Sequence, residues 1–116
     1  METIRTGKHL DQLVKRRSKI AATLDHIHEE QADAEQKTDW LDRAAYESRL
    51  ALLDRLNGWY SNEMAAIANA MERIERNTYG LCVACHRRID AHRLDCFPEA
   101  AFCRDCQSTR EGLEKA

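Results

Sequence analysis

Proline occurs once and glycine four times in the 116 residues, and aromatic side chains make up only 6%. So few chain breakers, together with 33% charged residues, favour helix and argue against a sheet protein. An excess of one charge sign is also missing, since 18 Lys and Arg face 20 Asp and Glu for a net charge of −2. The balance holds locally: 7 basic against 7 acidic over 1–37, 5 against 7 over 38–78, and 6 against 6 over 79–116. Duplex binding is driven by surplus Lys and Arg that neutralise phosphates. A module gripping DNA electrostatically is therefore excluded, and no direct sequence-specific DNA binding is expected. Long apolar runs are absent too. Met1 to Leu10 has no apolar run resembling a signal peptide, and no stretch approaches the ~18 continuous apolar residues of a membrane span. Paired thiols without an export signal suit a reducing interior. The expected location is the cytoplasm, away from membrane.

What the chain does have is cysteine in a pattern. Cys82-Val83-Ala84-Cys85 and Cys103-Arg104-Asp105-Cys106 are separated by seventeen residues, C-x2-C-x17-C-x2-C. A two-residue gap lets both thiolates of a pair reach one tetrahedral ion, the arrangement of a structural zinc site. Two disulfides or a redox pair are the alternatives, but a redox C-x-x-C sits in a strand–helix context that is absent here. One zinc held by Cys82, Cys85, Cys103 and Cys106 is expected, and its binding is linked to folding of the C-terminal third. Cys96 is the odd cysteine: a buried small hydrophobe, an exposed thiol or a substitute ligand, of which the first is commonest. His86 and His92 are near enough to compete for the metal. Arg87, Arg88, Arg93 and Arg104 surround the thiolates and are expected to offset their charge.

Upstream, the apolar residues repeat by sevens. Leu10, Arg17, Leu24 and Gln31 form one row, and Leu13, Ile20, Ile27 and Ala34 the other. The seam fades after Ile27 into a nearly all-polar stretch, where a helix is expected to continue without a core and to be mobile. A second set follows, with Tyr46, Leu53, Tyr60, Ile67 and Ile74 beside Leu50, Asn57, Met64 and Met71. Two seams joined by a short polar turn fold back as an antiparallel hairpin. Gly58 lies inside the second; because the register of sevens passes through it unbroken, a weakened helix is expected rather than a break. The expected fold is mainly α. Residues 1–9 are loose, 10–78 form the coiled-coil hairpin with its tip near 36–44, and 79–116 form the zinc module. Gly80 is expected to cap the second helix, and a short terminal helix to span about Arg104 to Glu114.

At the turn lies Asp39-Trp40-Leu41-Asp42-Arg43-Ala44. Thr38 or Asp39 as N-cap and Asp42 near N3 would satisfy free amides and complement the helix dipole. Helix chemistry leaves Trp40 and Leu41 unexplained, and apolar side chains beside two carboxylates at a hairpin tip suggest a contact surface.

Together these segments resemble the DksA/TraR family of bacterial transcription regulators. Tyr79-Gly80-Leu81-Cys82-x-x-Cys85, then Arg93-Leu94, Pro98 and Cys103-x-x-Cys106-Gln107, follow the family's zinc segment. The family's D-x-x-D-x-A tip falls on Asp39, Asp42 and Ala44, with Arg43 also matching. The resemblance covers about residues 10–112. It implies a non-enzymatic regulator that binds RNA polymerase and inserts its tip into the secondary channel, altering the lifetime of promoter complexes. Asp39 and Asp42 would supply charge there, Ala44 a close-packing position, and the zinc module would dock at the channel rim. Family members share the alarmone ppGpp with polymerase through basic residues. Here Phe97 precedes Pro98, Gln107 follows Cys106, and Ala66 stands at a usually basic helix position, so little ppGpp synergy is expected. His86 stands where the family commonly has glycine, at some cost if the backbone there is left-handed.

Two other readings compete with a monomeric polymerase regulator. One is a zinc-stabilised coiled-coil adaptor that binds another protein or self-associates through its seams. The other is single-stranded RNA binding through Phe97 and Phe102.

Overall fold

The computed structural model describes residues 6–36 and 43–115. Their elements are α1 (Thr6–Gln36), α2 (Arg43–Glu75), α3 (Ala91–Cys96) and α4 (Arg104–Lys115). Among the described residues there is no strand, only one isolated bridge between Leu81 and Arg88. Among the described residues no helix is long and apolar enough to cross a membrane. The fold is the expected mainly helical one, a coiled-coil hairpin with a C-terminal cysteine cluster.

Contacts divide the chain into two units, residues 16–65 and residues 1–15 with 66–116. In the first, α1 and α2 run antiparallel, as their paired side chains show. Arg16 Nη2 lies 3.2 Å from Glu63 Oε2, His28 Nε2 2.9 Å from Asn57 Oδ1, and Gln31 Nε2 donates to Asp54 Oδ1 at 2.9 Å. As the number on one helix rises, its partner's falls. Ile20, Ile27, Ala34 and Leu53 are buried, while Leu24 and Gln31 of the companion row are only half-covered. The polar stretch after Ile27 differs from expectation. It keeps a partner surface, because Ala34 is buried and His28, Glu30 and Gln31 all reach across to α2, Glu30 through Arg49 at 3.1 Å. Small and amide side chains replaced large apolar ones there, so hydropathy alone missed the contact.

Gly58 sits inside α2, which runs unbroken for 33 residues. A Cβ added there would meet nothing within 4 Å. The glycine is therefore a weak point in the helix with no packing role.

In the second unit, Leu13, Ile67 and Ala70 have no exposed surface. Residues 6–9, expected to be loose, are helical, and His9 is only 4% exposed. Its Nε2 lies 3.2 Å from Asp95 Oδ1 of α3 and its ring 5.5 Å from the Tyr79 ring. This contact across 86 residues of sequence leaves no trace in local periodicity. Tyr79 is buried and donates its hydroxyl to the Pro98 carbonyl at 2.8 Å; burial raises its pKa to about 12. Arg73, in the last turn of α2, bonds the Ala100 carbonyl at 3.3 Å. The bonds fasten the loop around Pro98 to the end of α2 and to the turn that follows it, and neither could be read from composition.

The end of α2 corrects another expectation. Asn77, with φ 61°, and not Gly80, is the left-handed residue that closes the helix. Thr78 N–H donates to Arg73 O at 2.9 Å and Asn77 N–H to Ile74 O at 3.2 Å, the paired bonds of a Schellman cap. Asparagine tolerates the left-handed region better than most non-glycine residues. Gly80, with φ 88°, serves the next turn, where its carbonyl accepts from Ile89 N–H at 2.7 Å.

Candidate metal centre

The first cysteine pair sits on a tight turn. Cys82 N–H donates to Arg87 O at 2.8 Å and His86 N–H to Cys82 O at 2.9 Å, folding the chain back between them. That geometry needs a left-handed residue, and His86 supplies it with φ 63°. Val83 N–H donates to Ala101 O at 2.9 Å, which ties this turn to the limb carrying the second pair. Cys103 immediately precedes α4, and its Sγ accepts from Cys106 N–H at 3.4 Å, as an N-cap side chain does.

The four sulfurs thereby converge. Those of Cys82, Cys85, Cys103 and Cys106 all lie within 4.8 Å of one another, and the Cys85–Cys103 separation is 3.8 Å. Tetrahedral zinc with Zn–S bonds of about 2.3 Å places its sulfurs about 3.8 Å apart. The set fits one structural zinc ion. Its electrostatics agree. Burial opposes ionisation of Cys82, but hydrogen bonding from the backbone at Cys103, Cys85 and Ala84 outweighs it and brings the thiol down to about 6. Cys106 is pushed up to about 12, chiefly by sharing hydrogen bonds with the Cys103 and Cys82 sulfurs. Four thiolates this close need a dication to ionise together.

His86 and His92 are exposed and lie outside the sulfur cluster. Cys96, at the end of α3, is exposed and is not part of the cluster either. The commonest role for a spare cysteine, a buried hydrophobe, does not apply because the α3 turn directs its last residue outward. That helix escaped the sequence reading. It is six residues long and is capped by Asp90, whose side chain accepts from His92 N–H at 3.4 Å. Of the surrounding arginines, Arg93 donates its Nε to Phe102 O at 3.2 Å, a structural clasp, while Arg87, Arg88 and Arg104 are exposed. One face of the Phe102 ring is covered by the Arg110 guanidinium, 4.4 Å from its centroid.

Asp39 and Asp42 lie outside the described residues, as do the N-cap assignments at Thr38 and Asp39. Arg43 is the first residue of α2, and Ala44 after it is exposed. Trp59 was not singled out from the sequence. Among the described residues it is the most exposed of the large hydrophobic side chains, at 59%. Its place on α2 outside both seam rows was the available signal.

Residues 77–112 match the family model described as prokaryotic dksA/traR C4-type zinc finger. The chain is 29% identical over 99 residues to the RNA polymerase-binding transcription factor DksA of Escherichia coli K12, covering 85% of this chain and 64% of that protein. It thus spans a little under two thirds of that relative. Among solved structures, transcription factor DksA2 from Pseudomonas aeruginosa superposes with a TM-score of 0.83 at 26% identity, covering 95% of this chain and 85% of that one. The DnaK suppressor protein from Agrobacterium tumefaciens gives 0.64 at 31% identity, covering 93% and 96%.

Proposed function

Because the chain belongs to the DksA/TraR family, we propose that it binds bacterial RNA polymerase in the cytoplasm and regulates transcription initiation without catalysing a reaction. The observation that carries this reading is the pairing of an antiparallel helical hairpin with a convergent four-sulfur site in one short chain. Residues 10–78 form the arm that enters the secondary channel, and residues 79–116 form the module that holds zinc and docks at the rim. Asp39, Asp42, Arg43 and Ala44 are the tip that acts near the catalytic centre. The zinc is structural: it makes folding of the knuckle depend on four thiolates and leaves no open coordination position. With Ala66 at a helix position that is usually basic in the family, Phe97 before Pro98 and Gln107 after Cys106, the chain works with little help from ppGpp. It acts as a monomer.

The test is capture of core polymerase by the purified zinc-loaded protein, followed by transcription from a stable-RNA promoter with wild type and Asp42→Asn. Expected are polymerase binding by both proteins and loss of the transcriptional effect in the variant. Binding with an unchanged transcriptional effect would refute the tip assignment, and absence of binding would refute the whole reading in favour of an adaptor for another protein.

A further inference from the structure

The second unit carries a histidine and a cysteine that the four-sulfur site does not use. His92 and Cys96 lie four residues apart on α3, and both are exposed. Side chains at that spacing sit one above the other on a helix, with Cβ atoms about 5–6 Å apart. At 100° per residue each is about 160° around the helix from Leu94, which is only 1% exposed. The helix therefore buries one side and turns imidazole and thiol together to the other. Among the described residues neither side chain is engaged in a hydrogen bond or ion pair; only the His92 N–H is used, donating to Asp90.

Their neighbours in sequence hold this face still. Asp90 caps the helix, and Arg93 Nε donates to Phe102 O at 3.2 Å. Asp95 Oδ1 lies 3.2 Å from His9 Nε2 and 3.5 Å from Lys8 Nζ. A fixed backbone lowers the entropy cost of bringing two side chains onto one ion.

Imidazole nitrogen and thiolate sulfur are donors that select borderline and soft ions. Zinc bonds of about 2.0 Å to nitrogen and 2.3 Å to sulfur set tetrahedral donors about 3.5 Å apart, within reach of an i, i+4 pair. Asp95 is committed to His9 and Lys8, so water fills the two remaining positions. Binding releases the Cys96 thiol proton to solvent and leaves the bound ion with one net positive charge. Two protein ligands in place of four supply about half the binding free energy of a structural site, which puts half-saturation at roughly 1–200 µM.

We propose that His92 and Cys96 form a second, exchangeable metal site on the outer face of α3, taking a borderline ion of the zinc class. The site is independent of the polymerase reading. In the zinc-loaded protein four of the five cysteines belong to the sulfur cluster, so an alkylating reagent reads Cys96 alone. The test is the rate of Cys96 alkylation by iodoacetamide, followed by mass spectrometry, as further Zn²⁺ is added to full-length zinc-loaded protein. Zinc should slow the reaction with a midpoint in that micromolar range. His92→Ala should raise the midpoint at least about 10-fold, whereas His26→Ala, at an exposed histidine of α1, should not move it. Equilibrium dialysis at about 200 µM free zinc should give a second ion on wild type and one ion only on His92→Ala and Cys96→Ser. Helicity by circular dichroism should be the same for all.

No slowing by millimolar zinc would overturn the proposal. So would equal protection in His92→Ala, which makes Cys96 a lone surface thiol, or equal protection by Mg²⁺, which prefers oxygen ligands. A zinc-dependent dimer in sedimentation would also refute the site as one built within a single chain.

Discussion

Replacing His86 with glycine should make the protein more stable and tighten its hold on zinc, although the change removes a side chain. His86 has φ 63°, and its N–H closes the metal-binding turn onto Cys82 O at 2.9 Å. An L-residue in the left-handed region carries a penalty of about 1–2 kcal/mol that glycine escapes. Glycine in turn loses more freedom on folding, by about 0.5–1 kcal/mol. The imidazole is exposed and lies outside the sulfur cluster, so little packing is lost. The net expectation is a gain of about 0.5–1 kcal/mol. Because folding of this turn and metal binding are linked, the gain should appear as zinc affinity about 2–5-fold higher. Chelator competition at fixed pH reads this directly, with urea unfolding of the zinc-loaded protein as an independent measure. His86→Ala is the control: it also removes the imidazole but keeps a Cβ, so it should show no gain. If glycine and alanine behave alike, or if glycine weakens zinc binding, backbone strain at residue 86 is not what limits the site.

Three further outcomes follow from the same geometry. Gly58→Ala should stabilise α2 by about 1 kcal/mol, because an added Cβ meets nothing within 4 Å; slower hydrogen exchange of amides around residue 58 is the readout, and a loss of protection would mean the helix needs glycine there. Stripping zinc with a strong chelator, or substituting Cys103→Ser, should unfold the C-terminal third while leaving much of the signal of α1 and α2, so circular dichroism should fall only in part as the free thiols become titratable. Stability should also fall on acidification from pH 7.5 to 5.5. Burial lowers the His9 pKa below 6.5, against the pull of Asp95 and aided by Lys8. The unfolded chain then takes up a proton that the folded chain refuses, so the contribution is complete above pH 6.5 and is lost as pH falls from there toward the folded value. His9→Gln should remove that part of the slope in thermal unfolding; an unchanged slope would place its origin elsewhere, most directly in the thiolates.

The division between what was legible and what was not follows the range of the interactions. Heptad rows, the unbroken register through Gly58 and the two C-x-x-C pairs are local spacings, and each translates directly into helix geometry or ligand reach. They were enough for the hairpin, the terminal helix at Arg104 and the zinc site. Corrections came where residues distant in sequence meet. His9 is helical and buried because Asp95 and Tyr79 come to it. The polar stretch after Ile27 keeps its partner because Asn57 and Asp54 lie opposite His28 and Gln31. The end of α2 is the local exception: Asn77 and Gly80 can both be left-handed, and bonding to the Ile74 and Arg73 carbonyls decides for Asn77.

By itself, then, the amino-acid order determined the periodic and the stoichiometric: which stripe of each helix is apolar, and how many sulfurs stand ready at what spacing. Tertiary structure alone decided exposure. It left Cys96 and Trp59 in solvent and covered Phe102 with Arg110, because accessibility depends on what packs against a residue and not on the residue's own preference.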